Sequence, residues 1–211
     1  MNFISIGIHC VVSDAIKMAN KRIHSFPFDY MWCPAKTTLN ILEYLINKTS
    51  DDALNYMITG YSYYTYEKPE YFKSVNYPTK DKMNKTTGLG IVHYDIDDNF
   101  KNTFLRRLNR LLTCIKSNSK IILIFSDATN KELNYHLDDI EYGIDATDSL
   151  EKIYDLLRPL NSNIEILYFC WPERAKKSEK IKHIPFVSYK ENEPNGIREI
   201  IKNYILKNYN I

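Results

Sequence analysis

The sequence predicts a single three-layer α/β sandwich, in which a mostly parallel central sheet carries helices on both faces. Three observations favour this fold. Short apolar runs typical of strands alternate along the chain with longer segments of helical periodicity. The runs IILIF (121–125) and IEILYFC (164–170) are almost wholly apolar, as expected for strands that are covered on both faces. The 211 residues suffice for one domain with a substantial core, so we treat 1–211 as one unit.

The chain opens with a strand, a turn and a helix. Residues 3–6 are apolar and β-prone, and they end at Gly7, which permits a tight turn. Residues 11–20 follow with helix-compatible side chains and neither glycine nor proline. This order predicts that the turn Gly7-Ile8-His9-Cys10 presents its cysteine at the start of the first helix.

A turn-like segment, SFPFDYMWCP (25–34), precedes the second predicted helix. Thr37 or Thr38 is placed to cap that helix, because a threonine hydroxyl can accept a hydrogen bond from a first-turn N–H. Residues 51–85 then lose clear periodicity and are dense in tyrosine. We interpret this stretch as a lid or an irregular insertion.

Residues 89–93 are a further strand candidate, and a long helix is predicted to begin near Asp97. The apolar residues of that helix follow its period: Phe100, Phe104, Leu105, Leu108, Leu111, Leu112 and Ile115. Residues 120–126 then form the predicted central strand, which ends beside Asp127.

The last third repeats the alternation of helix and strand. Asp148 and Glu151 have the spacing of a capping box in front of the next helix, which leads into the strand at 163–170. Residues 183–189 are a further strand candidate, and Gly196 opens the last predicted helix. Parallel sheets of this kind bind ligands at the carboxyl ends of their strands.

Composition argues against several functional classes. Lysine and arginine total 28 against 26 aspartate and glutamate residues, so no overall field favours nucleic acid or an anionic membrane. The N-terminal residues lack the cationic leader of a signal peptide, and no apolar block approaches the roughly 20 residues of a membrane span. We therefore expect a cytoplasmic protein with neither nucleic acid nor membrane as partner. The four scattered cysteines predict reduced thiols, and the absence of phosphate-loop, GxSxG and HExxH motifs predicts no cofactor and no metal.

Cys10 is the strongest candidate for a reactive residue. At the first turn of a helix, unpaired backbone N–H groups and the helix dipole favour the thiolate, which is the nucleophilic form. His9 is adjacent in sequence and is a candidate substrate contact. The alternative interpretation is that Cys10 is a small buried hydrophobe, since free cysteine is usually packing material.

His93 is the candidate base for this cysteine. It follows an apolar run, and Asp95 lies two residues later, on the same side of an extended chain, where a carboxylate could orient the imidazole. Asp127 competes for that orienting role because it follows the central strand. Each of these residues can equally be structural, as a locally bonded histidine or a helix cap.

Candidate substrate contacts come from two further segments. Asp29 lies in the rigid aromatic segment SFPFDY, where it could face the site or simply close a turn. Arg106 and Arg110 are four residues apart on the long helix, and with Arg107 they could grip a carboxylate or phosphate. The alternative is a solvated helix face.

The order of these motifs resembles a family of papain-like cysteine peptidases of uncharacterised function, with members in bacteria and large DNA viruses. The shared features are a Gly-x-x-Cys turn, a Ser-x-Pro-Phe-Asp-aromatic segment, a downstream His-Asp motif and an Arg-Arg pair before a buried strand. In this chain they are residues 7–10, 25–30, 93–95 and 106–107. The resemblance covers most of residues 1–130 and implies Cys10 as nucleophile and His93 as base.

The resemblance and the predicted fold imply different architectures. A papain-like fold pairs its cysteine-bearing helix with an antiparallel sheet, whereas alternating strands and helices predict a parallel one. The opening strand, turn and helix are also similar to those of SGNH-type esterases, whose first turn carries the nucleophile.

The leading hypothesis is a cysteine-dependent hydrolase or acyl transferase that acts on a peptide or amide bond, with Asp95 or Asp127 orienting the histidine. The first alternative is a non-catalytic α/β domain that binds a glycan or an anion through its tyrosines and arginines. The second is an SGNH-like esterase that uses cysteine.

Overall fold

The computed structural model describes residues 1–7, 10–64, 81–84, 87–91, 95–127, 145–186 and 194–209. The strands are β1 (Asn2–Ser5), β2 (Tyr61–Tyr64), β3 (Asp81–Asn84), β4 (Ile121–Ser126), β5 (Ile164–Cys170) and β6 (Ile181–Pro185). The helices are α1 (Cys10–Met18), α2 (Ala35–Asn47), α3 (Ser50–Ile58), α4 (Asp98–Ile115), α5 (Thr147–Leu157) and α6 (Pro194–Asn208).

A four-stranded sheet in the order β1-β4-β5-β6 forms the centre of the molecule. All three strand pairs are parallel, with Asn2 opposite Ile121, Ile121 opposite Ile164, and Ile166 opposite Ile181. Because the strands point the same way, their carboxyl ends meet at one edge, where such sheets place their ligands. Strands β2 and β3 form a separate antiparallel pair.

Helices cover both faces of this sheet. On one face, α1 and α6 pack against the side chains of Phe3, Ile122, Ile124, Leu167 and Phe169. On the other face, α2 to α5 pack against Ile4, Ile121, Leu123, Ile164 and Ile166. Every residue of β4 is buried, which explains its unbroken apolar run. The predicted three-layer sandwich with a parallel sheet is confirmed.

Helix α4 forms where its periodicity predicted. Asp97 is the N-cap, and its carboxylate accepts a hydrogen bond of 2.7 Å from the Phe100 backbone N–H. Phe104, Leu108 and Leu111 recur at helical spacing and are buried in the apolar core on this side of the sheet.

The stretch that we interpreted as irregular contains a regular helix. Helix α3 occupies its beginning, and Thr49 and Asp52 form a reciprocal capping box at its N-terminus. Ala53, Leu54 and Met57 bury its inner face. The many tyrosines in the rest of the stretch made the helical spacing of these three residues hard to recognise from the sequence. Residues 65–80 lie outside the described residues, so the predicted lid stays a prediction.

Three predicted helix starts are wrong, and one of them is that of α6, which begins at Pro194 and not at Gly196. Helix α2 begins after Pro34, and Thr38 lies inside it, where its hydroxyl donates a 2.8 Å hydrogen bond to the Ile6 carbonyl. Thr37 also lies inside α2, and its hydroxyl donates to the Thr87 carbonyl. Both threonine side chains therefore tie α2 to neighbouring segments.

Helix α5 begins at Thr147, one residue before the capping box that we predicted at Asp148 and Glu151. The carboxylate that serves its first turn belongs to Asp145, which accepts a 3.0 Å hydrogen bond from the Thr147 N–H.

The strand predicted at 89–93 is reduced to a single antiparallel bridge between Gly90 and Trp32 in the part that the structure describes. Gly88 precedes it with a φ of 71°, a left-handed conformation that turns the chain. Residues 92–94 lie outside the described residues. Strand β6 begins earlier than the predicted range of 183–189.

Candidate functional site

Cys10 is the first residue of α1 and follows β1 through the turn at Gly7. The turn is packed tightly: a Cβ atom added to Gly7 would lie 2.5 Å from the Cys33 carbonyl oxygen and 2.8 Å from Phe125 Cδ2. Only glycine fits there, so the close approach fixes the path of the chain towards α1. Cys10 itself is half-buried, at the carboxyl edge of the sheet.

The groups around Cys10 shift the pKa of its thiol in opposite directions. Burial raises its pKa above the ordinary value, and the Asp14 carboxylate one turn along α1 adds to that effect. The Arg198 guanidinium opposes both through its charge and a hydrogen bond to the thiol. Since the pKa is raised, the thiol is protonated at neutral pH in this conformation, and nucleophilic attack would require a base.

Arg198 connects Cys10 to a wider group of polar side chains. Its Nη2 lies 3.0 Å from Asp14 Oδ2, which joins α6 to α1. Tyr30 hydrogen-bonds Asp14 and also receives a 3.0 Å hydrogen bond from Arg22 Nη1. We call Cys10, Asp14 and Arg198 the β1-end cluster.

Tyr30 has a left-handed backbone conformation, with a φ of 62°. This conformation is unfavourable for a bulky side chain, so the surrounding contacts must hold it. The preceding residue, Asp29, supplies them. Its buried carboxylate accepts hydrogen bonds from Ser13 Oγ (2.9 Å), Arg22 Nη2 (3.0 Å) and the Phe26 N–H (3.0 Å). Burial raises the pKa of Asp29 despite these donors. Asp29 thus anchors the SFPFDY segment to α1.

The three arginines of α4 divide between solvent and this segment. Arg106 is exposed. Arg110 Nη1 donates a 2.8 Å hydrogen bond to the Ser25 carbonyl, and the charge of Arg107 lowers the pKa of Asp29. The structure therefore brings Arg107 and Arg110, but not Arg106, to the segment that contains Asp29. Ligand binding by any of the three stays a prediction.

Asp127 lies at the carboxyl end of β4 in a closed environment. Its side chain is 1% exposed and accepts hydrogen bonds from the Tyr168 hydroxyl (2.7 Å) and the Trp171 N–H (2.9 Å). Arg174 Nη1 lies 2.9 Å from Asp127 Oδ1. Burial raises the pKa of Asp127, whereas these three partners lower it. We call Asp127, Tyr168 and Arg174 the β4–β5 cluster.

His93 and His9 lie outside the described residues, and Asp95 is exposed in the segment that leads into α4. The pairing of Cys10 with His93, and any role of Asp95 or His9, stay predictions. The tyrosine-rich groove proposed for a glycan likewise lies largely in residues that the structure does not describe.

The remaining cysteines differ from Cys10 in their exposure. Cys33 and Cys170 are buried, and burial raises the pKa of each to about 12. Cys114 is half-buried on α4, and burial raises its pKa as well. Cys10 and Cys114 are thus the two thiols to which solvent has access, and at Cys10 an arginine, Arg198, lowers the pKa of the thiol against the effect of burial.

A comparison with known protein families identifies a relationship over most of the chain. Residues 1–150 match the model of a family described as putative papain-like cysteine peptidases. The chain belongs to this family. No curated protein and no solved structure matches it. The family segment contains Cys10, His93 and the SFPFDY motif but ends before β5, β6 and α6.

The residues that complete both clusters were not among the predicted site residues. Asp14 is four residues from Cys10, the spacing of neighbours on a helix face, so a helical projection could have found it. Arg198, Tyr168 and Arg174 come from the part of the chain beyond the family segment. Only the tertiary structure brings them to the strand ends.

The described residues contain neither a cluster suited to a metal ion nor a helix suited to crossing a membrane. No three or more His, Cys, Asp or Glu side chains come together there in a way that could hold a metal ion. Among the helices described, none has the length and apolar character needed to cross a membrane.

Proposed function

We propose that the protein is a cysteine-dependent hydrolase that cleaves a peptide or amide bond, with Cys10 as nucleophile and His93 as base. The observation that carries the proposal is the position of Cys10: the first residue of a helix, at the carboxyl edge of a parallel sheet, within a segment matched by a cysteine peptidase family. The N-terminal dipole of α1 and the charge of Arg198 both favour a thiolate there.

The chemistry follows the usual order for a thiol nucleophile. The base removes the thiol proton, and the sulfur attacks the carbonyl carbon of the substrate. The C–N bond breaks as the amine leaves with that proton, and a thioester remains on Cys10. Water then hydrolyses the thioester and restores the thiol. Asp95, two residues beyond His93, is the proposed orienting carboxylate, since that of Asp127 is occupied by Tyr168, Trp171 and Arg174.

Thiol labelling tests the reactivity of Cys10 without knowledge of the substrate. The native protein is treated with iodoacetamide near neutral pH, and mass spectrometry follows the modification of each cysteine. We expect Cys10 to react about tenfold faster than Cys114 and to slow to the rate of Cys114 in His93→Ala. Cys33 and Cys170 should react only after unfolding. Equal rates at Cys10 and Cys114 in the wild type would contradict the proposal.

Activity provides the second test. Cleavage of a peptide library should fall at least about a thousandfold in Cys10→Ala, because removal of a nucleophile abolishes the covalent route. Cys114→Ala is the matched control and should retain full activity. Equal cleavage by Cys10→Ala and the wild type would exclude Cys10 as the nucleophile.

The parallel sheet favours a second candidate, in which the same cysteine hydrolyses an ester. Papain-like folds have an antiparallel sheet, whereas here the nucleophile candidate follows the first strand of a parallel one, as in SGNH-type esterases. Turnover of a p-nitrophenyl ester that is lost in Cys10→Ala, together with no cleavage of peptides, would select this candidate.

A further inference from the structure

Arg198 is held beside Cys10 by the packing of two helices. Helices α1 and α6 lie on the same face of the sheet, and their contact is lined by buried apolar residues, among them Val11, Ala15, Ile197 and Ile201. Arg198 follows Ile197 directly, so its side chain emerges at the border of this apolar contact. The packing of α6 on α1 therefore fixes the backbone of Arg198 beside α1.

The guanidinium contacts two side chains of α1 at once. Cys10 and Asp14 are four residues apart and lie one above the other on the helix face that meets α6. Arg198 Nη2 lies 3.0 Å from Asp14 Oδ2, and the guanidinium also hydrogen-bonds the thiol. Tyr30 hydrogen-bonds Asp14 in turn, and Arg22 bonds Tyr30. A continuous chain of contacts thus leads from the SFPFDY segment through Asp14 and Arg198 to Cys10.

The ion pair of Asp14 and Arg198 borders a groove that is open to solvent. A surface groove of about 400 Å³ runs between the two helices and is lined by Asp14, Met18, Arg198 and Glu199. The side chains of Arg198 and Asp14 are 25% and 29% exposed. An ion pair of this exposure contributes little to stability, so stability alone does not account for a pair at this position.

We propose that Arg198 is a functional residue of the Cys10 site, which favours the thiolate of Cys10 directly, and that Asp14 is a positioning residue, which holds the guanidinium in place. The inference rests on the proposed role of Cys10 as nucleophile. It assigns a role to α6, which lies beyond the segment that defines the family. A planar guanidinium suits this task because it can bind a carboxylate on one side and a sulfur on another.

The pH profile of Cys10 alkylation tests this inference. The rate is measured against pH in the wild type, Arg198→Gln, Arg198→Lys and Asp14→Asn, with Cys114 as the internal reference. Arg198→Gln should move the midpoint to higher pH and lower the rate near neutral pH about fivefold. Arg198→Lys should restore part of that loss, because the positive charge remains.

Asp14→Asn should move the midpoint in the opposite direction, because it removes a negative charge beside the thiol while the amide can still hold Arg198. Lys202→Gln is the matched control: it removes a positive charge one turn further along α6, where Lys202 pairs with Glu199. Its profile should equal that of the wild type.

Two results would overturn the inference. One is an unchanged Cys10 profile in both Arg198 variants. The other is a shift in the same direction in Arg198→Gln and Asp14→Asn that Cys114 shares, which would indicate loosened packing. The inference and the proposed function fail separately. Slow labelling of Cys10 in the wild type argues against its role as nucleophile. Fast labelling that is unchanged in the Arg198 variants argues only against the role of Arg198.

Discussion

The two clusters at the carboxyl edge of the sheet each pair a carboxylate with a guanidinium, but in different surroundings. In the β1-end cluster, Asp14 and Arg198 are each about a quarter exposed and border a groove. In the β4–β5 cluster, Asp127 is 1% exposed and Arg174 is 14% exposed. The acid and the arginine are therefore accessible from solvent at the first strand end, whereas at the second they are enclosed by the protein. Because both pairs are bonded within the protein, it is exposure that distinguishes the two strand ends.

Replacement of Asp127 should have the largest effect on stability. Asp127→Ala leaves the Arg174 guanidinium and the Tyr168 hydroxyl without their buried acceptor, which should lower the free energy of unfolding by about 3–5 kcal/mol. Urea denaturation measures this loss. Asp98→Ala is the control, because its side chain is 93% exposed, and should cost less than about 1 kcal/mol.

A second substitution of Asp127 tests whether the β4–β5 cluster takes part in the chemistry of Cys10. Asp127→Asn retains the size of the side chain and an acceptor for the Trp171 N–H. If the β4–β5 cluster is structural, Cys10 in the folded variant should react with iodoacetamide at the wild-type rate. A Cys10 rate reduced tenfold with Cys114 unchanged would instead support the prediction that Asp127 orients the base.

Gly7→Ala should have the next largest effect on stability, and it changes the turn that follows β1. The added Cβ would overlap the Cys33 carbonyl oxygen and the Phe125 ring, so the turn must shift, at a cost of about 2–3 kcal/mol. The shift should also change the alkylation rate of Cys10, which begins α1 three residues later. Gly60→Ala provides the control. Gly60 has a φ of 76°, so alanine there costs about 1 kcal/mol from backbone strain, with no change at Cys10.

The fold was largely predictable because its signals are local. The unbroken apolar runs of β4 and β5 and the periodicity of α4 each lie within one segment, and burial on both faces or on one face explains them. Helix α3 was missed because its capping box uses Asp52, which differs from the usual glutamate or glutamine, and because tyrosines surround it.

The candidate site was predictable only in part, for a physical reason. The location of Cys10 after a strand and a glycine is a local signal, and the sequence indicated it. The partners of Cys10 and Asp127 depend on long-range packing: Arg198 reaches Cys10 only because α6 packs on α1, and Arg174 reaches Asp127 only because β5 pairs with β4. No local pattern encodes those distances.

Replacement of His183 should have the smallest effect on stability. It tests whether the closed environment of the β4–β5 cluster extends to β6. Its ring lies beside Tyr168, with 5.3 Å between centroids, and its Nε2 is 3.0 Å from Thr147 Oγ1. Burial lowers the pKa of His183 below 6.5, although the nearby carboxylates Asp145 and Glu151 act against this and Lys176 acts with it. The folded state therefore binds this proton less readily than the unfolded chain. Stability should fall as the pH drops through about 6.5 towards the folded-state pKa.

The half-exposed ring limits the contribution of His183 to less than about 1 kcal/mol, so a difference measurement is needed. Urea midpoints at about pH 7.5 and about pH 5.5, on either side of the unfolded-state pKa, should differ less in His183→Gln than in the wild type. His24→Gln, at an exposed histidine, should retain the wild-type dependence. Identical pH dependence in His183→Gln and the wild type would show that His183 ionises as it does in the unfolded chain. The closed environment would then end at Tyr168, and the contrast between the two strand ends would rest on Asp127 and Arg174 alone.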